Sequence, residues 1–158
     1  YRNNKAHDTF SKLHNFRSTC KIKKIKLFIA NDMSLCKDLR ADGVYISANN
    51  SSLKYSRFKN SNVELIGAAH NNKEIRIKKL QGCKDIIFSR LFRTSYKHKK
   101  NFLGAVRFNL LNKSYKNRLF PLGGIRLSNL NKIKNVNCSG FVIYSEVKKK
   151  PAIIDRLF

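Results

Sequence analysis

The chain has 158 residues, and its 34 Lys and Arg against 9 Asp and Glu give a formal net charge of +25 at pH 7. A length within roughly 100–200 residues suits one domain, residues 1–158, and a hydrophobic share of 42% excludes a wholly disordered chain. Four scattered cysteines, Cys20, Cys36, Cys83 and Cys138, form no C-x-x-C and exclude a compact disulfide framework or zinc cluster.

In chain order, Asp8 is placed to cap a first helix carrying Phe10, Leu13 and Phe16 or Arg17 on one side. Short runs rich in Val, Ile and Phe predict strands at residues 25–30, 43–47, 63–68, 85–89, 118–122 and 140–145. Between them, Ser34 caps a helix with Leu35 and Leu39. Asn72 caps another through Gln81, in which Glu74 and Lys78 form an i,i+4 pair. Ser128 caps a short helix with Leu130, Ile133 and Val136. Cys83 and Cys138 sit near strand starts and read as small buried residues. Strands alternating with helices mean βαβ units and a parallel sheet. Both an open doubly wound sheet and part of an eight-stranded (β/α) barrel fit that pattern.

The cations are spread along the chain, with small clusters at 21–26, 97–100 and 148–150. Such charge points to an anionic partner without naming it, and a solvated basic surface is the reading placed ahead of a dedicated polyanion groove. The 21–26 run leads straight into a buried-type strand, so it reads as a solvated strand entry. A basic nucleic-acid-binding protein, with cations gathered on one face, is the alternative from another class. No apolar run nears the ~20 residues of a membrane span. No signal peptide is visible, and a reduced cytoplasmic setting is the default expectation.

In parallel α/β architectures ligands bind at the C-terminal edge of the strands. The residues there are Asn31-Asp32, then Ser47, Asn49 and Asn50, then His70-Asn71. Next come the long loop 90–97, Gly123-Gly124, and Tyr144-Ser145-Glu146. Glycines allow close backbone approach, hydroxyls and Lys supply donors, and a carboxylate can hold a metal. The collection suits a phosphorylated ligand. Taken singly, Asp32 reads as a helix N-cap, His70 as a capping or packing residue, and Gly123-Gly124 as a tight turn.

In register, these stretches resemble the thiamine phosphate synthase and thiazole tautomerase family, over residues 2 to about 150. The matching motifs are Phe28-Ile29-Ala30-Asn31-Asp32, Ala41-Asp42-Gly43-Val44-Tyr45-Ile46 and Ile66-Gly67-Ala68-Ala69-His70-Asn71. They continue with Ser89-Arg90-Leu91-Phe92-Arg93-Thr94, Leu122-Gly123-Gly124-Ile125 and Gly140-Phe141-Val142-Ile143. The resemblance implies a (β/α)8 TIM barrel with about six of its eight strands present and an incomplete N-terminus, Tyr1-Arg2 being the stub of the second strand. It also implies a transferase that joins hydroxymethylpyrimidine diphosphate to a thiazole phosphate, releasing pyrophosphate and making thiamine phosphate. By the same resemblance Arg2 and Asn31 touch the pyrimidine diphosphate, and Asp32 ligates Mg²⁺ with weaker help from Asn50. Thr94, Ser95 and Tyr96 line the thiazole phosphate, Lys97 meets the diphosphate as a catalytic cation, and Gly123, Gly124, Tyr144 and Ser145 close the phosphate site. A homo-oligomer is compatible with it.

The chain departs from the family pattern at several points. Asn50 stands where a second Mg²⁺ carboxylate is expected and Ala48 where Gln is expected. Arg90 replaces a small residue or Pro, and Gly67-Ala68-Ala69-His70 lacks the family's Ser. An Asn carbonyl carries no charge, so weaker Mg²⁺ binding is expected. Loss of that carboxylate favours a tautomerase with His70 as the acid/base, or a degenerate homologue that binds thiamine precursors. Asn31-Asp32 and Lys97 favour the synthase.

Overall fold

Leu13, Arg17 and Cys20 recur at helical spacing and are the buried positions of α1 (Phe10–Ile22). The computed structural model describes residues 1–2, 9–94, 101–116 and 118–144. They divide into two compact units, one of residues 1–68 with 73–84, the other of 69–72 with the chain from 85 onward. Five strands lie among the described residues, β1 (Phe28–Ala30), β2 (Gly43–Ile46), β3 (Glu64–Ala69), β4 (Asp85–Ser89) and β5 (Leu119–Leu122).

In the first unit β1, β2 and β3 pair in parallel, with Ile29 opposite Val44 and Val44 opposite Leu65. Ile29, Val44 and Ile46 are almost wholly buried, as strands covered on both faces require. Gly43 has a steric reason to be glycine: a Cβ would strike the Glu64 carbonyl oxygen and sit 2.6 Å from the Phe28 ring. α2 (Met33–Asp38) and α3 (Asn72–Leu80) bury Cys36 and Ile75. The cluster 21–26 is exposed apart from half-buried Ile25, as a solvated strand entry should be.

Arg17 and Asp42 pin α1 to the start of β2. The guanidinium donates to both carboxylate oxygens, at 2.7 and 3.2 Å, and the Leu27 N–H donates to Asp42 Oδ2 at 2.7 Å. Burial alone would raise the Asp42 pKa, but the Leu27 N–H and Arg17 outweigh it and hold the carboxyl below its usual value. A depressed carboxylate pKa adds stability above the unfolded value of 3.8, lost as pH falls through the folded one. Asp42→Ala should therefore cost about 3 kcal/mol at pH 7, because it strands a nearly buried guanidinium. Urea unfolding at pH 7 and below pH 4 checks this, the gap from wild type shrinking in acid.

In the second unit β4 and β5 pair in parallel, Phe88 opposite Pro121. The buried Asn112 ties α4 (Gly104–Ser114) down: its Oδ1 accepts from Leu119 N at 2.9 Å and its Nδ2 donates to the Asn137 carbonyl. Of the expected sixth strand at 140–145, the described residues 140–144 form one bridge, Leu122 to Val142. Pro121 explains this. Its carbonyl accepts from Val142 N at 2.9 Å, but a parallel ladder also needs its N–H on that side, and proline has none.

Other expectations shift. Asp32, not Ser34, caps α2, its carboxylate accepting from Leu35 N. Thr9 holds the N-cap position of α1, and Asp8 lies outside the described residues. The segment after Arg126 is a 3₁₀ helix, Leu127–Asn135. A further 3₁₀ helix, Leu53–Phe58, and α4 were not expected. α4 has no side-chain cap, opens on a glycine and exposes Val106 and Leu110, so its period is blurred. Cys83 is buried, its thiol pushed up to about 12 by burial, whereas Cys138 is only half-buried.

Candidate functional site

In the first unit Asn31, at the end of β1, holds a left-handed backbone at φ 58°, which Asn tolerates better than most residues. Its side-chain oxygen accepts from Ser47 N and from Asn50 Nδ2, both at 3.0 Å, and its Nδ2 donates to Ser47 Oγ at 3.0 Å. The Tyr55 hydroxyl donates to the Asn31 carbonyl at 2.6 Å. Asn50 Oδ1 accepts from Ser52 N at 3.0 Å. The strand ends thus bring Asn31, Ser47 and Asn50 together as one polar network.

Beneath that loop lies a residue the sequence reading paired with Glu74. Lys78 is fully buried on α3, and its ammonium donates to the carbonyls of Ser47 at 2.7 Å and Asn50 at 2.6 Å, and to Gln81 Oε1 at 3.0 Å. Gln81 Nε2 donates to the carbonyls of Asn50 and Ser52. Gly67 makes room for the lysine stem, since a Cβ there would lie 2.8 Å from Lys78 Cγ. Helical spacing alone cannot tell this arrangement from a solvated cation.

Asp32 Oδ1 caps α2 by accepting from Leu35 N at 2.9 Å, and the Asn50 amide is committed to Ser52 and Asn31. Among the described residues no three His, Cys, Asp or Glu gather to hold an ion. These bonds use Asp32 Oδ1 and Asn50 Oδ1 at a helix end and a loop, and the second Asp32 carboxylate oxygen, Oδ2, takes no part in the cap.

The second unit holds a cavity of about 670 Å³. His70, from the end of β3, and Ser89, from the end of β4, meet there, Nδ1 lying 2.6 Å from Oγ. In the Nε2–H tautomer the Ser89 hydroxyl donates to Nδ1. Arg90 lies across Gly123, and its Nη1 donates to Thr94 Oγ1 at 3.3 Å. Backbone bonds from Leu91 N to Leu122 O and from Phe92 N to Gly123 O lace the loop after β4 to the glycines after β5. Gly123 and Gly124 have φ of 98° and 72°. A Cβ on Gly124 would lie 2.6 Å from Phe92 backbone atoms, so only glycine lets the two strand ends approach this closely.

Phe88, Phe102 and Tyr144 add apolar wall, Arg107 of α4 adds a second guanidinium, and no Asp or Glu lines the cavity among the described residues. A planar ring and an anionic group are what such a wall accommodates. Of the expected site residues, His70, Thr94, Gly123, Gly124 and Tyr144 come together here. Arg2, exposed and next to Tyr1, which bonds to β1 through Ala30 N, and Asn31, Asp32 and Asn50 belong to the first unit. Ser95, Tyr96, Lys97 and Ser145 lie outside the described residues. Arg107 and Phe102 were missed because the helix and loop that carry them were.

A family model described as thiamine monophosphate synthase matches residues 1–147. No curated protein matches the chain significantly. Among solved structures, it is similar to a thiamine phosphate pyrophosphorylase from Pyrococcus furiosus, with a TM-score of 0.72 at 14% identity over 99% of this chain and 79% of that one. At that identity the likeness speaks to the fold. No helix among the described residues is long and apolar enough to cross a membrane. By the model that spans nearly all its length, the chain belongs to the thiamine monophosphate synthase family.

Proposed function

We propose that this chain is a transferase of the thiamine phosphate synthase type, joining a hydroxymethylpyrimidine diphosphate to a thiazole phosphate with release of pyrophosphate. The observation that carries the reading is the cavity of the second unit. Aromatic walls, Arg90, Thr94 and the paired glycines there suit a phosphorylated heterocycle, in a chain of this family. The (β/α)8 barrel is the architecture that goes with the proposal, supported by the structural similarity.

In this reading the thiazole ring stacks among Phe88, Phe102 and Tyr144, and its phosphate meets Arg90 and the Gly123-Gly124 backbone. Closing a phosphate between guanidinium and backbone donors fixes the ring nitrogen for attack on the pyrimidine methylene. The test supplies both substrates, with and without Mg²⁺, and looks for thiamine phosphate. Arg90→Gln should raise KM for the thiazole phosphate about tenfold, as expected for one lost charged hydrogen bond. Asp32→Ala should lower stability by about 1 kcal/mol through the lost cap, whereas Asp32→Asn keeps the cap and should keep turnover within about threefold. A hundredfold loss in Asp32→Asn would return that carboxylate to the chemistry.

A second reading is favoured by the His70–Ser89 contact at 2.6 Å. A hydroxyl-oriented imidazole beside an anion-binding wall can move a proton on a thiazole carboxylate phosphate. If no thiamine phosphate forms while the thiazole isomers interconvert, and His70→Ala stops it, this tautomerase reading replaces the first.

A further inference from the structure

We infer that the outward face of α4 docks the second unit on an anionic lipid surface, Val106 and Leu110 entering the acyl boundary while lysines meet the lipid phosphates. The inference goes beyond the proposed function and does not rest on it. From residue 86 to residue 145 the sequence contains no Asp or Glu, against twelve Lys and Arg. Arg118 reaches back to Asp85, the last carboxylate before that stretch, at 2.9 Å. A chain with 9 Asp and Glu thus leaves most of its second unit without one.

The outward side of α4 separates this face from an ordinary solvated basic surface. Phe108 and Asn112 point inward and are fully buried. One turn apart on the other side, Val106 and Leu110 are 75% and 68% exposed, and their i,i+4 spacing makes one apolar stripe. A single exposed aliphatic residue needs no explanation, whereas two stacked on a helix among cations do. Lys113, three residues beyond Leu110, is exposed and continues the stripe with a charge. On one flank the segment that ends the 3₁₀ helix 127–135 lies against α4. Asn109 Nδ2 donates to the Asn135 carbonyl at 2.9 Å, and Asn137 N donates to Asn109 Oδ1 at 2.8 Å. That contact brings the exposed Lys134 alongside the helix.

The occupant follows from charge and shape. A second copy would bring two carboxylate-free surfaces together, and like charges repel. A nucleic acid would take the cations but leave Val106 and Leu110 against phosphate and sugar. A protein partner carries basic as well as acidic groups, and is answered by a surface of both signs. A bilayer rich in anionic lipid offers one sign of charge throughout, with hydrocarbon directly beneath. It selects cations, aliphatic tips and no carboxylate, which is the chemistry of this face.

The experiment floats the full chain with vesicles of phosphatidylcholine alone, and of equal parts phosphatidylcholine and phosphatidylglycerol. The chain should bind the mixed vesicles, ignore the neutral ones and dissociate as salt is raised. Val106→Ser with Leu110→Ser should weaken binding about thirtyfold, and Lys113→Gln about fivefold. All three positions are exposed, and circular dichroism reports folding. If the double serine variant does not fold, Leu110→Ser alone and Lys113→Gln decide. Absence of binding to the mixed vesicles overturns the inference. Binding by the serine variant within twofold of wild type does so too, since bulk charge would then be the cause. Binding of single-stranded RNA but not of mixed vesicles would assign the cations to nucleic acid. A dimer that the serine variant loses would assign the face to a second copy, and either result overturns the lipid surface.

Discussion

Lys78→Ala is expected to destabilise the first unit by about 4 kcal/mol, and Lys78→Met by about 2 kcal/mol. The side chain is fully buried, and its ammonium donates to two carbonyls of the 47–50 loop and to Gln81. Methionine keeps most of the buried stem and loses the charge-assisted bonds; alanine also leaves a cavity against Gly67. Urea unfolding curves measure both. A loss below about 1 kcal/mol in Lys78→Ala would mean the loop holds itself without the lysine. The pH dependence gives a second check. Burial lowers the Lys78 pKa from 10.5, the nearby Cys83 and Glu74 opposing it only in part. The unfolded chain then binds the proton more tightly than the folded one. Stability should rise with pH between the lowered folded value and 10.5, relative to Lys78→Met. Because Ser47 and Asn50 also hold Asn31, the same variants should loosen the polar network at the strand ends.

Gly124→Ala should damage the second unit's cavity with little change elsewhere. An alanine there must hold φ near 72° and place its Cβ 2.6 Å from the Phe92 carbonyl and 2.7 Å from the Arg93 carbonyl oxygen. Left-handed backbone costs about 1–2 kcal/mol outside glycine, and forced backbone movement about as much again. Together about 3 kcal/mol would appear as lost stability, lost ligand affinity, or both. If the loop moves instead of unfolding, affinity for the thiazole phosphate should fall on the order of a hundredfold. Gly104→Ala is the control, since nothing lies within 4 Å of a Cβ there. Equal effects at Gly124 and Gly104 would mean that backbone strain, and not the close approach of Phe92 and Arg93, sets the cost.

Much of the fold was legible because its signals are local. The core of every strand of the three parallel pairings lies within a short apolar run, and β4 matches its expected bounds, Asp85–Ser89. The sixth strand failed for a reason that lies in its neighbour: the missing N–H of Pro121 can be weighed only once the pairing partner is known. α4 was missed because its buried residues, Phe108 and Asn112, are few, and Asn112 looks polar until its bonds to Leu119 and Asn137 are seen.

The site divides in the same way. Gly123-Gly124, Thr94 and His70 could be picked from the sequence, since loops after parallel strands carry ligand chemistry. Their company could not. Arg107 comes from an unexpected helix, Ser89 meets His70 across the chain, and one oxygen each of Asp32 and Asn50 accepts from Leu35 N and Ser52 N. Length, composition and ordered motifs by themselves determined an α/β chain of this family with phosphate-suited strand ends. A net charge of +25 determined a basic surface and named no partner. Which cations gather was decided by tertiary structure. Lys78 is buried under a loop, while Arg90 and Arg107 line the second unit's cavity. The physical reason is that charge is additive along a sequence, whereas recognition depends on distances between side chains that only folding brings within a few ångströms.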